Sequence, residues 1–93
     1  MKITCDPIKN EKNIADRGLS FERAINYDFS TAKIWQDTRK PYPEVRFVAM
    51  GYLDDRLHVM CFTETTTGIR VISFLWVSQR ERVKHGFSLN RNW

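Results

Sequence analysis

The chain is poor in the residues that would announce a specialised class of protein. Two cysteines, Cys5 and Cys61, among 93 residues exclude a secreted disulfide scaffold, which at this length carries about four or more. Each lies in an apolar, strand-like stretch and reads as a reduced core thiol. His58 and His85 have no second Cys or His at ligand spacing, so a zinc site is not expected. No apolar run approaches the roughly 18–20 residues of a membrane span. The opening Met1-Lys2-Ile3-Thr4-Cys5-Asp6 places an acid too early for a signal peptide, so a cytoplasmic protein with no membrane partner is expected. A mass of 11.1 kDa allows one domain over residues 1–93 and no large cofactor cavity, and no cofactor is expected. Acids are scarce at one end. Residues 1–64 hold ten Lys/Arg and ten Asp/Glu, whereas residues 65–93 hold Arg70, Arg80, Arg82, Lys84 and Arg91 against Glu81 alone. The whole net charge of +4 therefore sits in the last third, which suits a polyanion or an acidic protein partner.

What is present reads as a small α+β domain. Lys2–Cys5 alternates polar and apolar residues and predicts a first strand. Asp6-Pro7 is an N-cap and first-turn pair, and predicts a helix to about Arg17 that turns Ile8, Ile14 and Ala15 to the core. Gly18 suits the left-handed residue after it. Ser20 predicts a cap for a second helix, Phe21 to Asn26, burying Phe21, Ala24 and Ile25. Strands follow. Ala32–Gln36 is short, with Trp35 expected in the core. Thr38–Pro43 is a polar loop, and Pro41 and Pro43 keep it out of a ladder. Glu44–Leu53 alternates two faces, Asp54-Asp55 predicts a tight turn, Arg56–Thr63 returns, and Ile69–Phe74 follows the turn Thr65–Gly68. Ile69 to Val77 fits either one long strand or a strand passing into a helix near Ser73. Ser78–His85 has helical spacing and basic character. The expectation is an antiparallel sheet with two N-terminal helices and a short C-terminal one packed on one face.

Several stretches resemble the BrnT toxins when taken together. Asp6-Pro7-x-Lys9-x-x-x-Asn13 and Gly18-Leu19-Ser20-Phe21-x-x-Ala24 match the family's opening in order. Tyr42, Glu44 and Arg46 match a Tyr-x-Glu-x-Arg loop preceded by an Arg, here Arg39. Gly51 and Thr63-Glu64 fit the meander, and Ile69-Arg70-Val71-Ile72-Ser73 fits the last strand. The likeness covers about residues 2–85. It implies a RelE-like fold and a ribonuclease toxin of a bacterial type II toxin–antitoxin pair, which cleaves RNA and inhibits translation. It also implies neutralisation by a BrnA-type antitoxin and contact with operator DNA only through that antitoxin; for a small, partly apolar chain, any dimer is expected to form through the antitoxin. The chain departs from the family at Arg17, where a His is usual, at Leu75 and Trp76, where an Arg and a Lys are usual, and at His85, where a Tyr is usual.

Metal-free RNA cleavage needs a base for the 2′-hydroxyl, cations for the pentavalent phosphate and an acid for the 5′-oxygen. Arg70 is the first candidate for the phosphate. It alternates with Ile69 and Val71, and its planar fork fits phosphate oxygens; a surface pair with Glu64 is the structural alternative. Glu44 and Glu64 are candidate bases, and Lys40 and Arg46 lie near Glu44 in sequence. His85 is a candidate acid. Ser73 can donate to phosphate or cap a helix. Arg80, Arg82 and Lys84 can follow the RNA backbone or form a solvated face, and Tyr42, Trp35 or Trp76 can stack on bases. Loss of two cations at Leu75 and Trp76 keeps a second reading open, an attenuated or non-catalytic module that binds the antitoxin and acts in operon repression. A plain nucleic-acid-binding domain is the third.

Overall fold

A computed structural model describes residues 1–77, and among them are five strands, one α-helix and one 3₁₀ helix. Strand β1 (Lys2–Cys5) leads into helix α1 (Pro7–Arg17). The Asp6 carboxylate accepts from the Ile8 amide, Pro7 opens the first turn, and Gly18 ends the helix with a left-handed φ of 65°. Ser20 caps the 3₁₀ helix Phe21–Asn26 through the Glu22 amide. Strands β2 (Asp28–Gln36), β3 (Phe47–Leu53), β4 (Arg56–Glu64) and β5 (Gly68–Trp76) then form a meander. The β3–β4 turn holds Asp54 and Asp55 at φ 49° and 64°, the conformation that matches the twist of a two-residue hairpin. Arg23 of the 3₁₀ helix forms an ion pair with Asp54. None of the described helices is long and apolar enough to cross a membrane.

The sheet order is β1-β5-β4-β3-β2, and β1 runs parallel to β5. The sheet is therefore mixed, which corrects the antiparallel expectation. Short turns dictate the directions of β3, β4 and β5, and the longer loop over residues 37–46 returns β2 antiparallel to β3. They leave β1 undetermined, because α1 and the 3₁₀ helix carry the chain from one sheet edge to the other. Gly68 makes the parallel pairing sterically feasible. A Cβ there would lie 2.1 Å from the Lys2 carbonyl oxygen and 2.5 Å from its amide nitrogen.

Two apolar clusters sit on opposite faces of the sheet. The larger gathers Leu19, Phe21, Ala24 and Tyr27 with Ala49, Met60, Phe62, Ile69, Val71 and Phe74. The second gathers Met50, Leu57 and Val77, with Tyr52 and Val59 against them. Tyr27 joins the layers: its ring meets Phe29 and Phe74 edge-on, and its hydroxyl donates to the His58 carbonyl at 2.9 Å. Burial pushes that hydroxyl well above the usual tyrosine range.

Several other expectations need correction. Helix α1 buries no residue. Ile8, Ile14 and Ala15 are all exposed, as is Ile25. The helix is held instead by amides. The Asn13 side chain donates to the carbonyls of Leu19 and Phe74, both at 2.9 Å, and the Asn10 side chain accepts from the Phe21 amide at 2.8 Å. Trp35 is 37% exposed rather than core. Both cysteines are only half-buried, and burial pushes their thiols upward in pKa. Strand β2 starts four residues earlier than Ala32, because a bulge between Asp28 and Lys33 breaks the alternation. The Asp28 carboxylate accepts from Ser30 and Thr31 there and replaces ladder bonds. Strand β3 starts at Phe47 rather than Glu44, so the loop is longer than Thr38–Pro43. Strand β5 continues to Trp76, which places Ser73 inside a strand and removes its helix-capping role. The expected helix Ser78–His85 lies outside the described residues.

Candidate active site

The bulge in β5 and the long loop before β3 bring three sequence candidates together. On β5, Ile72 is the extra residue, since Phe62 pairs with Val71 and Cys61 with Ser73. Arg70 pairs across with Thr63 on β4 and Thr4 on β1, on the face turned away from the 3₁₀ helix. The loop delivers Glu44 to this row. Arg70 Nη2 and Arg46 Nε both donate to Glu44 Oε1 at 3.0 Å. The partner of Arg70 is thus Glu44, not Glu64 across the turn. Two further bonds fix the loop end. Thr63 Oγ1 donates to the Val45 carbonyl at 2.8 Å, and the Asp37 amide donates to the Arg46 carbonyl at 2.8 Å.

Beside the cluster lies a recess of about 350 Å³ lined by Cys5, Asp6, Lys9, Arg46, Arg70 and Ile72. The Asp6 carboxylate is committed to capping α1, so the groups available to an anion are Lys9, Arg46 and Arg70. Glu44 and Arg46 side chains are 27% and 23% exposed, and Arg70 is 48% exposed. A carboxylate shared by two guanidinium groups is ready for exchange. An incoming phosphate can take both forks and free Glu44 to accept a proton.

The remaining candidates fall elsewhere. Glu64 ends β4 exposed opposite Ile69, on the alternate side of the strand from Thr63. Ser73 is half-buried opposite Cys61. Lys40 is exposed on the loop. His85, Arg80, Arg82 and Lys84 lie outside the described residues. Leu75 lines a trough of about 570 Å³ with Val48, Met50 and Val59, to which Asp37, Thr38, Arg39 and Ser73 also contribute. Trp76 stands 49% exposed, with the Arg56 guanidinium 3.2 Å above its ring.

Sequence reasoning missed two features. Lys9 lies in the matched Asp-Pro-x-Lys stretch, but nothing in the sequence places the first turn of α1 beside β5. The second is the clamp in which exposed Arg39 grips the buried Asp37 carboxylate. Arg39 donates to both carboxylate oxygens, Nε at 2.9 Å and Nη2 at 2.8 Å, and its amide donates at 3.1 Å. That guanidinium holds the Asp37 carboxyl far below the usual range, with help from the Tyr42 hydroxyl. An Asp-x-Arg step opening a proline-flanked loop was the available signal.

The chain matches no curated protein. A family model described as the ribonuclease toxin BrnT of type II toxin–antitoxin systems matches residues 6–81, a span that contains both helices, the long loop and the Glu44–Arg46–Arg70 cluster. The chain belongs to this family of ribonuclease toxins.

Proposed function

We propose that this chain is a metal-independent endoribonuclease whose reacting centre is the Glu44–Arg46–Arg70 cluster. The observation that carries the reading is one carboxylate oxygen held between two arginines beside a cation-lined recess. Arg70 and Arg46 take the scissile phosphate, with Lys9 as a third cation. Glu44 accepts the 2′-hydroxyl proton as that oxygen bonds to phosphorus. The bond from phosphorus to the 5′-oxygen breaks, and His85 protonates the departing oxygen. The products are a 2′,3′-cyclic phosphate and a 5′-hydroxyl end. Glu64 is displaced from the base role by its side of β4, and Ser73 is at most an auxiliary donor three residues beyond Arg70. Lys40, Arg80, Arg82 and Lys84 steer the RNA backbone.

The biological reading follows the family. The protein acts in the cytoplasm with a RelE-like fold, cleaves RNA to stop translation, and is neutralised by a BrnA-type antitoxin. It reaches operator DNA only through that antitoxin and dimerises within the complex. A second reading, an attenuated or non-catalytic module that binds the antitoxin and supports repression, draws on Leu75 and Trp76. These positions carry a leucine on the trough wall and a tryptophan face rather than cations. The two readings separate in one assay of RNA cleavage by the protein and by its Leu75→Arg/Trp76→Lys form. Cleavage by both is expected. Cleavage by the double variant alone establishes attenuation, and cleavage by neither rejects the ribonuclease reading for free RNA.

A further inference from the structure

We propose that the loop between β2 and β3 is a nucleobase subsite, in which the ring of Tyr42 stacks on a base of single-stranded RNA next to the scissile phosphate. The inference rests on the ribonuclease reading for its placement beside the phosphate, and on the loop itself for its chemistry. The loop borders an open, shallow concavity of about 480 Å³ to which Thr38, Lys40, Tyr42 and Arg46 contribute. Its size is within the range of small-ligand sites.

Three features make it a built site. Pro41 and Pro43 flank Tyr42 and fix its backbone, and the Tyr42 amide donates to the Lys40 carbonyl at 3.0 Å. The floor is the Asp37 carboxylate, whose side chain is only 1% exposed and is gripped through two bonds by Arg39, itself 75% exposed. The Tyr42 hydroxyl lies beside that carboxylate and helps to favour its charged form. Finally, the Arg46 guanidinium lies 4.2 Å from the Tyr42 ring centroid while its Nε holds Glu44. Arg46 therefore touches both the ring and the reacting carboxylate, so a base on the ring and a phosphate on Arg46 can belong to one nucleotide. A rigid aromatic platform suits stacking because little freedom is lost on binding. Arg39 is spent on Asp37, which leaves Lys40, Thr38 and the loop carbonyls to meet the base edge.

The test uses the full chain and octanucleotides of 2′-O-methyl uridine, which lack the attacking hydroxyl, beside the same backbone without bases. Affinity is read by fluorescence anisotropy. The wild type is expected to prefer the base-bearing strand about 5- to 150-fold, the range that stacking on one aromatic ring gives. Tyr42→Leu should erase most of that preference and leave abasic affinity within about twofold, whereas Tyr42→Phe should retain it. Equal affinity of the wild type for both strands overturns the subsite, as does a preference unchanged in Tyr42→Leu. If Tyr42→Leu does not fold, base-to-ring cross-peaks to Tyr42 in the wild-type NMR spectrum decide, and their absence overturns the proposal. Because no arm needs cleavage, a protein that stacks bases but cuts no RNA keeps the subsite and loses the ribonuclease reading.

Discussion

At the scale of single residues, charge placement gives the sharpest predictions. Arg70→Ala removes one of two forks that would hold a developing phosphorane, and should lower the cleavage rate about 10²- to 10³-fold with little change in fold. Glu44→Gln should cost at least about a hundredfold in the single-turnover rate, because the amide cannot accept the proton. Wild-type rates in either folded variant would remove that residue from the reaction. His58 has a different task. It is 4% exposed between β3 and β5, and its Nδ1 lies 2.8 Å from the Arg56 carbonyl. The carbonyl only accepts, so Nδ1 carries a proton. Burial holds the ring's pKa below the ordinary 6.5. The unfolded chain thus binds a proton more readily than the folded one. His58 contributes stability that is complete above about pH 6.5 and is lost as pH falls through the lower folded value. Thermal melts from pH 8 to 5 should show this loss, and the slope should flatten in His58→Gln. A slope unchanged in that variant would assign the acid sensitivity to other groups.

Among the elements, β1 and α1 depend on contacts that side-chain patterning does not announce. Gly68→Ala would drive a methyl into the Lys2 backbone. It should cost more than the roughly 1–3 kcal/mol of ordinary overpacking, and amide exchange should show the loss concentrated in Ile3 to Cys5. Asn13→Ala strands the Leu19 and Phe74 carbonyls and should cost about 1–3 kcal/mol. Ile14→Ala, on the exposed side of the same helix, should cost under about 1 kcal/mol, and chemical denaturation separates the two. An equal cost for both would mean that α1 is held by apolar packing after all. These elements also show where sequence was legible. Caps are local chemistry, so Asp6-Pro7, Gly18 and Ser20 marked the helix bounds. Asp54-Asp55 and strict alternation marked β3 and β4. Helix packing is not local: the periodic Ile8 and Ile14 suggested an apolar face, while the anchors are Asn10 and Asn13. The start of β2 was hidden by its bulge, and the direction of β1 by a crossover that no turn constrains. In the site, Arg70 and Glu44 were each recognisable, but their meeting is a tertiary event between residues 26 apart.

For the whole molecule, charge asymmetry sets how RNA binds. Seven cations are proposed on the RNA: Arg70, Arg46, Lys9, Lys40, Arg80, Arg82 and Lys84. Affinity for a single strand should then fall roughly 900-fold as salt rises from about 50 to 200 mM. Replacing Arg80, Arg82 and Lys84 by Ala should reduce that loss to roughly fiftyfold, the slope of four contacts. An unchanged salt slope would take the C-terminal cations off the RNA. The account as a whole rests on catalysis without metal by the Glu44–Arg46–Arg70 cluster, and the most direct measurement is incubation of the purified protein with RNA in EDTA, alongside Arg70→Ala, followed by analysis of the new ends. The account predicts fragments with 2′,3′-cyclic phosphate and 5′-hydroxyl ends from the wild type and almost none from the variant; intact RNA, cleavage only on adding a divalent metal, or equal cleavage by both proteins would contradict it.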